Sequence, residues 1–138
     1  MRRKPVKQLA VFIENRAGRL AEICGILGKA NINILGFSIA DSEGYGIFRI
    51  IVKETDLAQR ILREAGFTVT EREILCLDVP HRPGGLSSVL KIFSDNNINV
   101  EYMYAIANTL IVFYIESIKE AEEILSKNNI DLKSIDDL

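Results

Sequence analysis

The sequence predicts an α+β fold of two consecutive βαββαβ units, each an antiparallel sheet carrying its helices on one face. Three observations predict it. The chain repeats itself: Arg16-Ala17-Gly18-Arg19-Leu20 returns 66 positions later as Arg82-Pro83-Gly84-Gly85-Leu86, and Asn31-Ile32-Asn33-Ile34 returns as Asn97-Ile98-Asn99-Val100. Such a repeat makes one half the structural unit. The hydrophobic spacing switches between period 2 and period 3.6 in the same order in both halves. The length of 138 residues suits two small domains, 1–70 and 71–138. Units of this size bury only about 60% of their unfolded surface, so the halves are expected to pack on each other and on a second chain.

In the first half, residues 7–14 alternate, with Leu9, Val11 and Ile13 on one face, and predict a strand. After the loop Asn15-Arg16-Ala17-Gly18, the residues Leu20, Ile23, Cys24, Leu27 and Ala30 recur at helical spacing and predict a helix over 18–29. A strand is expected over 32–40. Residues 41–46 read as a turn with two glycines able to take positive φ, and 47–53 as a third strand. Leu57, Ala58, Ile61, Leu62 and Ala65 mark a helix over 54–65, Gly66 follows its end, and a fourth strand starts at 67–70.

The second half repeats the order. Residues 72–79 predict a strand with Leu75, Leu77 and Val79 on one face and Ile74, Cys76 and Asp78 on the other. The loop His81-Arg82-Pro83-Gly84 leads into a helix over 84–95, with Leu86, Val89, Leu90 and Phe93 inward. Strands over 100–107 and 110–116 flank a shorter turn at Asn108. The helix over 118–127 carries Ala121, Ile124 and Leu125, and a last strand is expected over 130–135. Strands 67–70 and 72–79 are either separate or one long bent strand. The helix-free sheet faces are expected to need a cover as well, because Phe48, Ile50, Ile111 and Phe113 or their alternates are apolar.

Composition excludes several classes. The hydrophobic share of 48% and charged share of 26% are those of a folded globular protein. A net charge of -2 and a pI near 5.5 argue against a nucleic-acid binder, and Arg2-Arg3-Lys4 reads as a solvated terminus. No apolar run approaches the ~20 residues of a membrane span, and no apolar stretch of a signal peptide follows the N-terminal basic residues, so a cytoplasmic protein with no membrane partner is expected. Cys24 and Cys76 lack metal-ligand spacing and read as small buried hydrophobes.

Little here suits catalysis. His81 is the only histidine, and no nucleophile–base set, phosphate-binding glycine loop or metal cluster can be placed. Asp136-Asp137 and Glu122-Glu123 read as solvated pairs. The chain is therefore expected to have no catalytic activity, no cofactor and no metal. Binding has more to work with. In both halves a helix starts at glycine, Gly18 or Gly84, and a helix start is an anion site. Arg16, Arg19 and Arg82 stand beside it. Two readings stay open: a ligand site, or a glycine that only makes the turn. Asn31 and Asn97 fit left-handed helix ends. Asn33 and Asn99 either contact a ligand or simply open the second strand.

The arrangement strand, (Asn/Asp)-Arg-Pro-Gly-x-Leu loop, helix, Asn-Ile-Asn-Ile, strand resembles the ACT domain, in two tandem copies over essentially the whole chain. His81-Arg82-Pro83-Gly84-Gly85-Leu86 is close to that loop, and Asn15-Arg16-Ala17-Gly18-Arg19-Leu20 has Ala17 for the usual proline. The resemblance implies ferredoxin-like units that bind an amino acid where two ACT units meet, the loop of one against the second-strand start of a neighbour. For the first copy it implies Asn15, Arg16, Ala17 and Gly18 with Asn31, Ile32, Asn33 and Ile34. For the second it implies His81, Arg82, Pro83 and Gly84 with Asn97, Ile98 and Asn99. A stand-alone sensor acting as a homodimer is the expectation. If only one half binds, the first is the expected binder, because it keeps the amide Asn15 and the small Gly36 where the second has Tyr102. The alternatives are a regulatory subunit of a biosynthetic enzyme, such as an acetolactate synthase-like small subunit, and an RNA binder on the same βαββαβ frame. The RNA reading lacks a basic surface and strand aromatics outside aliphatic runs.

Overall fold

The computed structural model describes residues 5–107 and 109–138. Its elements are β1 (Val6–Glu14), α1 (Arg19–Lys29), β2 (Gly36–Ser42), β3 (Tyr45–Ile51), α2 (Thr55–Glu64), β4 (Thr68–Asp78), α3 (Gly85–Asp95), β5 (Tyr102–Ala105), β6 (Leu110–Tyr114) and α4 (Ile118–Lys127). A single 3-10 turn, Ile135–Asp137, follows. The Arg2-Arg3-Lys4 run and Asn108 lie outside the described residues. The chain divides into two units, Lys7–Arg72 and the stretch from Glu73 to Leu138.

In the first unit the strand order is β2-β3-β1-β4. β1 and β2 both pair antiparallel with β3, so Val11 and Ile39 lie opposite Phe48. Alternation turns Leu9, Val11, Ile13, Phe48 and Ile50 to one face, where Ile23 and Leu27 of α1 and Ala58 and Leu62 of α2 complete the core. Glu43 (φ 31) and Gly44 (φ 86) form the hairpin turn with positive φ at both positions, the type whose twist matches the flanking strands. Gly46 stays in β3 opposite Ile13 instead of supplying the turn.

All four helices end in the same way. The residue after the C-cap is left-handed: Asn31 (φ 59), Gly66 (φ 96), Asn97 (φ 56) and Asn129 (φ 57). The next residue donates its N–H five residues back, from Ile32 to Leu27, Phe67 to Leu62, Ile98 to Phe93 and Ile130 to Leu125, at 2.9–3.0 Å. Each is a Schellman motif, closed by the apolar contact between the same two residues.

In the second unit β4 and β5 pair antiparallel with β6, placing Cys76 and Tyr104 opposite Val112. The core repeats the first position by position: Leu75, Leu77, Val79, Val89, Phe93, Ile98, Phe113, Ile115, Ala121 and Leu125 stand where the first unit has Leu9, Val11, Ile13, Ile23, Leu27, Ile32, Ile50, Val52, Ala58 and Leu62. Phe93 meets Phe113 edge to face, ring centroids 5.6 Å apart.

One open alternative is decided and three expectations change. Residues 67–70 and 72–79 are one continuous strand, β4, whose first part lies in the first unit and whose remainder lies in the second. The second strand begins at Gly36, four residues later than expected, because Asn31 and Ile32 are used in closing α1. The last strand, expected over 130–135, is reduced to one bridge between Leu77 and Leu132, with the Lys133 N–H donating to the Cys76 carbonyl at 2.9 Å. Ile130 and Leu132 bring apolar side chains to it, and a capping box at Ser134 turns the chain away, so among the described residues the second unit has three strands, β4, β6 and β5, where four were expected. Cys24 is exposed, not buried: Ile23 and Leu27 take the core positions and leave Cys24 a third of a turn away. Cys76 is buried as expected. Phe48, Ile50 and Phe113 line the helix-covered faces, while Ile51, Ile74, Cys76 and Val112 are buried on the opposite ones.

Candidate ligand-binding site

The two repeated loops fold alike. Gly18 (φ 90) and Gly84 (φ 83) are the left-handed N-caps of α1 and α3, and neither helix start has a side-chain cap. In the first loop the Arg16 N–H donates to the Glu14 carbonyl (2.9 Å), Arg19 to Arg16 (3.5 Å) and Glu22 to Gly18 (2.9 Å). In the second, Arg82 donates to Pro80 (3.0 Å), Gly85 to Arg82 (2.9 Å) and Ser88 to Gly84 (3.0 Å). A Cβ built on Gly18 or Gly84 meets no heavy atom within 4 Å. Each cap is thus bare backbone, and Asn15, Arg16, Ala17 and Gly18, like His81, Arg82, Pro83 and Gly84, are exposed. An uncapped helix start with open approach can hold a carboxylate against its amides.

The loops differ in charge and tightness. In the first, Glu14 lies 3.3 Å from the Arg16 Nε and 3.8 Å from an Arg19 nitrogen, and Glu22 lies 3.0 Å from Arg19. The Arg19 guanidinium also lies 5.2 Å over the Phe67 ring, so this side chain is committed within its own unit. In the second, Arg82 makes no ion pair with a described residue, and α3 has no acid in its first turn. Gly85 stands where the first copy has Arg19. A Cβ there would lie 1.9 Å from the Pro80 carbonyl oxygen, so only glycine fits. The second loop is the tighter turn and the less acidic surroundings for an anion.

Within one unit the two halves of the motif do not meet. Gly18 and Asn31 sit at opposite ends of α1, and Gly84 and Asn97 at opposite ends of α3, each 11 residues long. Such a helix separates its ends by about 16 Å. Asn31 and Asn97 are the left-handed residues of the Schellman motifs, and Ile32 and Ile98 put their side chains into the cores. Asn33 is exposed and Ile34 packs against the first core. Asn99 donates to Glu101 at 3.4 Å. A cavity of about 390 Å³ brings Asn97, Asn99 and Val100 beside Ser94 at the end of α3. Gly36 is buried, and Tyr102 in its place stacks on Tyr104 and Tyr114.

Sequence reasoning missed the neighbours of the first loop. A cavity of about 220 Å³ there gathers Phe12, Glu14, Arg19, Tyr45, Phe67 and Thr68. Phe12 and Tyr45, at 42% and 65% exposure, are apolar surface that nothing in the first unit's core covers. Linear spacing holds no signal for this set, because it is assembled from the hairpin turn, the first loop and the end of α2. Among the described residues no His, Cys, Asp and Glu cluster could hold a metal ion, and no helix is long and apolar enough to cross a membrane. Burial pushes the Cys76 thiol up to about 11, with Lys133 acting in the opposite direction.

A family model described as "ACT domain pair" matches residues 4–138. No curated protein matches the chain. Among solved structures, protein BT0572 from Bacteroides thetaiotaomicron is 33% identical with a TM-score of 0.90, covering 96% of this chain and 94% of that one. The ligand-free regulatory subunit of aspartate kinase from Thermus thermophilus is 14% identical with a TM-score of 0.66, over 90% and 93% of the two chains. The structure of aspartokinase alpha and beta subunits is 16% identical with a TM-score of 0.64, over 89% and 91%. At such identities the aspartate kinase structures show the shared fold.

Proposed function

Because the chain belongs to the ACT family, as an ACT domain pair, we propose that it is a regulatory protein that binds an amino acid at its two repeated loops and has no catalysis of its own. The observation that carries this reading is the duplicated bare helix start, Gly18 and Gly84, left-handed, uncapped and open. The ligand's carboxylate takes the loop amides. Its ammonium meets Asn33 or Asn99 of a neighbouring unit, since the loop and Asn-x-Asn segments of one unit are a helix apart. Residues 1–70 and 71–138 are the two ACT domains, and the site needs units placed side by side, which fits a cytoplasmic homodimer. A ligand bridging such units favours the assembled state by its differential affinity. Of the two loops, the second is the stronger anion site, which reverses the preference for the first half drawn from the sequence, because Arg82 is not engaged by a described acid while Glu14 and Glu22 crowd the first loop.

A thermal-shift screen of the standard amino acids finds the ligand: at 100 times its dissociation constant it adds about 2.7 kcal/mol. Calorimetry then tests the placement. Gly18→Val and Gly84→Val, each strained by the left-handed backbone, remove binding at their own loop, and circular dichroism checks that each variant is still folded. Unchanged affinity and stoichiometry in the double variant refute it. A second reading, a regulatory subunit of a separate biosynthetic enzyme, draws on the likeness to the aspartate kinase regulatory subunit over 93% of that chain. Pull-down of a large enzyme with the tagged protein from native cells separates the two.

A further inference from the structure

Inside the second unit, a cavity of about 340 Å³ lies between α3 and the chain that follows α4. That is the lower end of the range for sites enclosing small organic molecules. Val89, Ile92 and Ile130 supply apolar wall, and Asp78, Asp131 and Lys133 bring two carboxylates and one ammonium. The cavity exists where the last strand fails. Asn129 turns the chain left-handed, and beyond it only Leu77 and Leu132 form a bridge.

The repeat shows which of these residues the fold requires. Val89, Ile92 and Ile130 stand where the first half has Ile23, Ile26 and Phe67, so the apolar wall is the duplicated core. Asp78, Asp131 and Lys133 stand where the first half has Phe12, Thr68 and Thr70. The first half folds with those residues and makes a longer strand there. The three charges are therefore no requirement of the βαββαβ frame, and they replace residues better suited to a strand. Asp78 and Lys133 act with opposite sign on the one buried thiol of Cys76, which puts both within Coulomb range of the same atom.

We propose that this cavity is a further small-molecule site, taking an amino-acid-sized zwitterion with an aliphatic body. The ammonium lies between Asp78 and Asp131, the carboxylate meets Lys133, and the aliphatic chain lies on Val89, Ile92 and Ile130. Unlike the loop sites, this one is complete within a single unit. With two carboxylates against one ammonium, it discriminates most strongly against molecules that lack a positive charge.

Calorimetry on the full chain uses leucine as the probe, with 4-methylpentanoate lacking the ammonium and leucinamide lacking the carboxylate. Leucine is expected to bind, both analogues at least tenfold more weakly. Asp131→Asn and Lys133→Met each weaken leucine at least tenfold, and Ile92→Trp, which fills the cavity, abolishes this binding. In the Gly18→Val/Gly84→Val double variant some leucine binding persists, and it is the part that Lys133→Met removes. Three results overturn the proposal: no leucine binding at millimolar concentration, analogues that bind as well as leucine, or binding insensitive to all three cavity variants. Binding lost in the loop double variant alone overturns this site and leaves the loop reading standing. Binding lost in the cavity variants alone supports this site and counts against the loops for this probe.

Discussion

Replacing Gly85 by alanine probes the difference between the two loops directly. The added Cβ would sit 1.9 Å from the Pro80 carbonyl oxygen and 2.9 Å from its carbon, both backbone atoms that no rotamer change can move. Reaching ordinary contact requires roughly 1.5 Å of backbone displacement. The displacement pulls the start of α3 away from the loop and loosens the Gly85 N–H bond to Arg82, now 2.9 Å. Overpacking of this kind costs about 1–3 kcal/mol, and the weakened hydrogen bond about 1 kcal/mol. Against this, alanine gains about 1 kcal/mol of helix propensity over glycine. The net expectation is a loss of about 1–3 kcal/mol. Gly28→Ala is the matched control: Gly28 lies inside α1 and its added Cβ meets nothing within 4 Å, so about 0.5–1 kcal/mol of stabilisation is expected. Urea unfolding followed by circular dichroism reads both variants. If Gly85→Ala unfolds at the same urea concentration as the parent, or above it, the close approach to Pro80 is not real and the tight second loop goes with it.

Phe93→Ala removes one of the two largest side chains of the second core and its edge-to-face contact with Phe113, and is expected to cost about 3–5 kcal/mol; a urea midpoint within error of the parent contradicts it. Asn31→Gly is expected to keep stability, since the αL position needs no side chain, whereas Asn31→Leu loses about 1–2 kcal/mol; equal midpoints for the two would count against the cap role. In the native protein, Cys24 reacts with a thiol reagent at once and Cys76 only on unfolding; two fast thiols would contradict the burial. Because burial raises the Cys76 thiol from 9.0 to about 11, its contribution to stability is complete below pH 9 and lost as the pH rises toward 11. A Cys76→Ala variant should lack that part of the alkaline decline.

Repetition and spacing told most of the architecture. Helix α4 falls where period 3.6 put it, and the inward sets Leu9-Val11-Ile13 and Leu75-Leu77-Val79 face the helices because alternation and a buried face leave one register. The left-handed Asn31 and Asn97 were legible because that conformation selects few residue types. Cys24 was misplaced because a periodic apolar face is wider than the stripe a sheet covers, and only the packing of α1 shows that Ile23 and Leu27 fill it. The last strand was misplaced because the alternating Ile130 and Leu132 read as a strand in linear pattern, but with Asp131 and Lys133 beside them and a cap at Ser134 they hold only one bridge.

The sequence by itself determined the duplicated βαββα order, the inward faces and the two glycine loops, since these follow from short-range backbone preference and hydrophobic period. Only the tertiary structure decided that Gly85 abuts Pro80, that Phe12, Tyr45 and Phe67 gather beside the first loop, and that Asp78, Asp131 and Lys133 line one cavity. Those relations join residues that are distant along the chain or fixed by backbone contact, and no periodicity along the chain carries such distances.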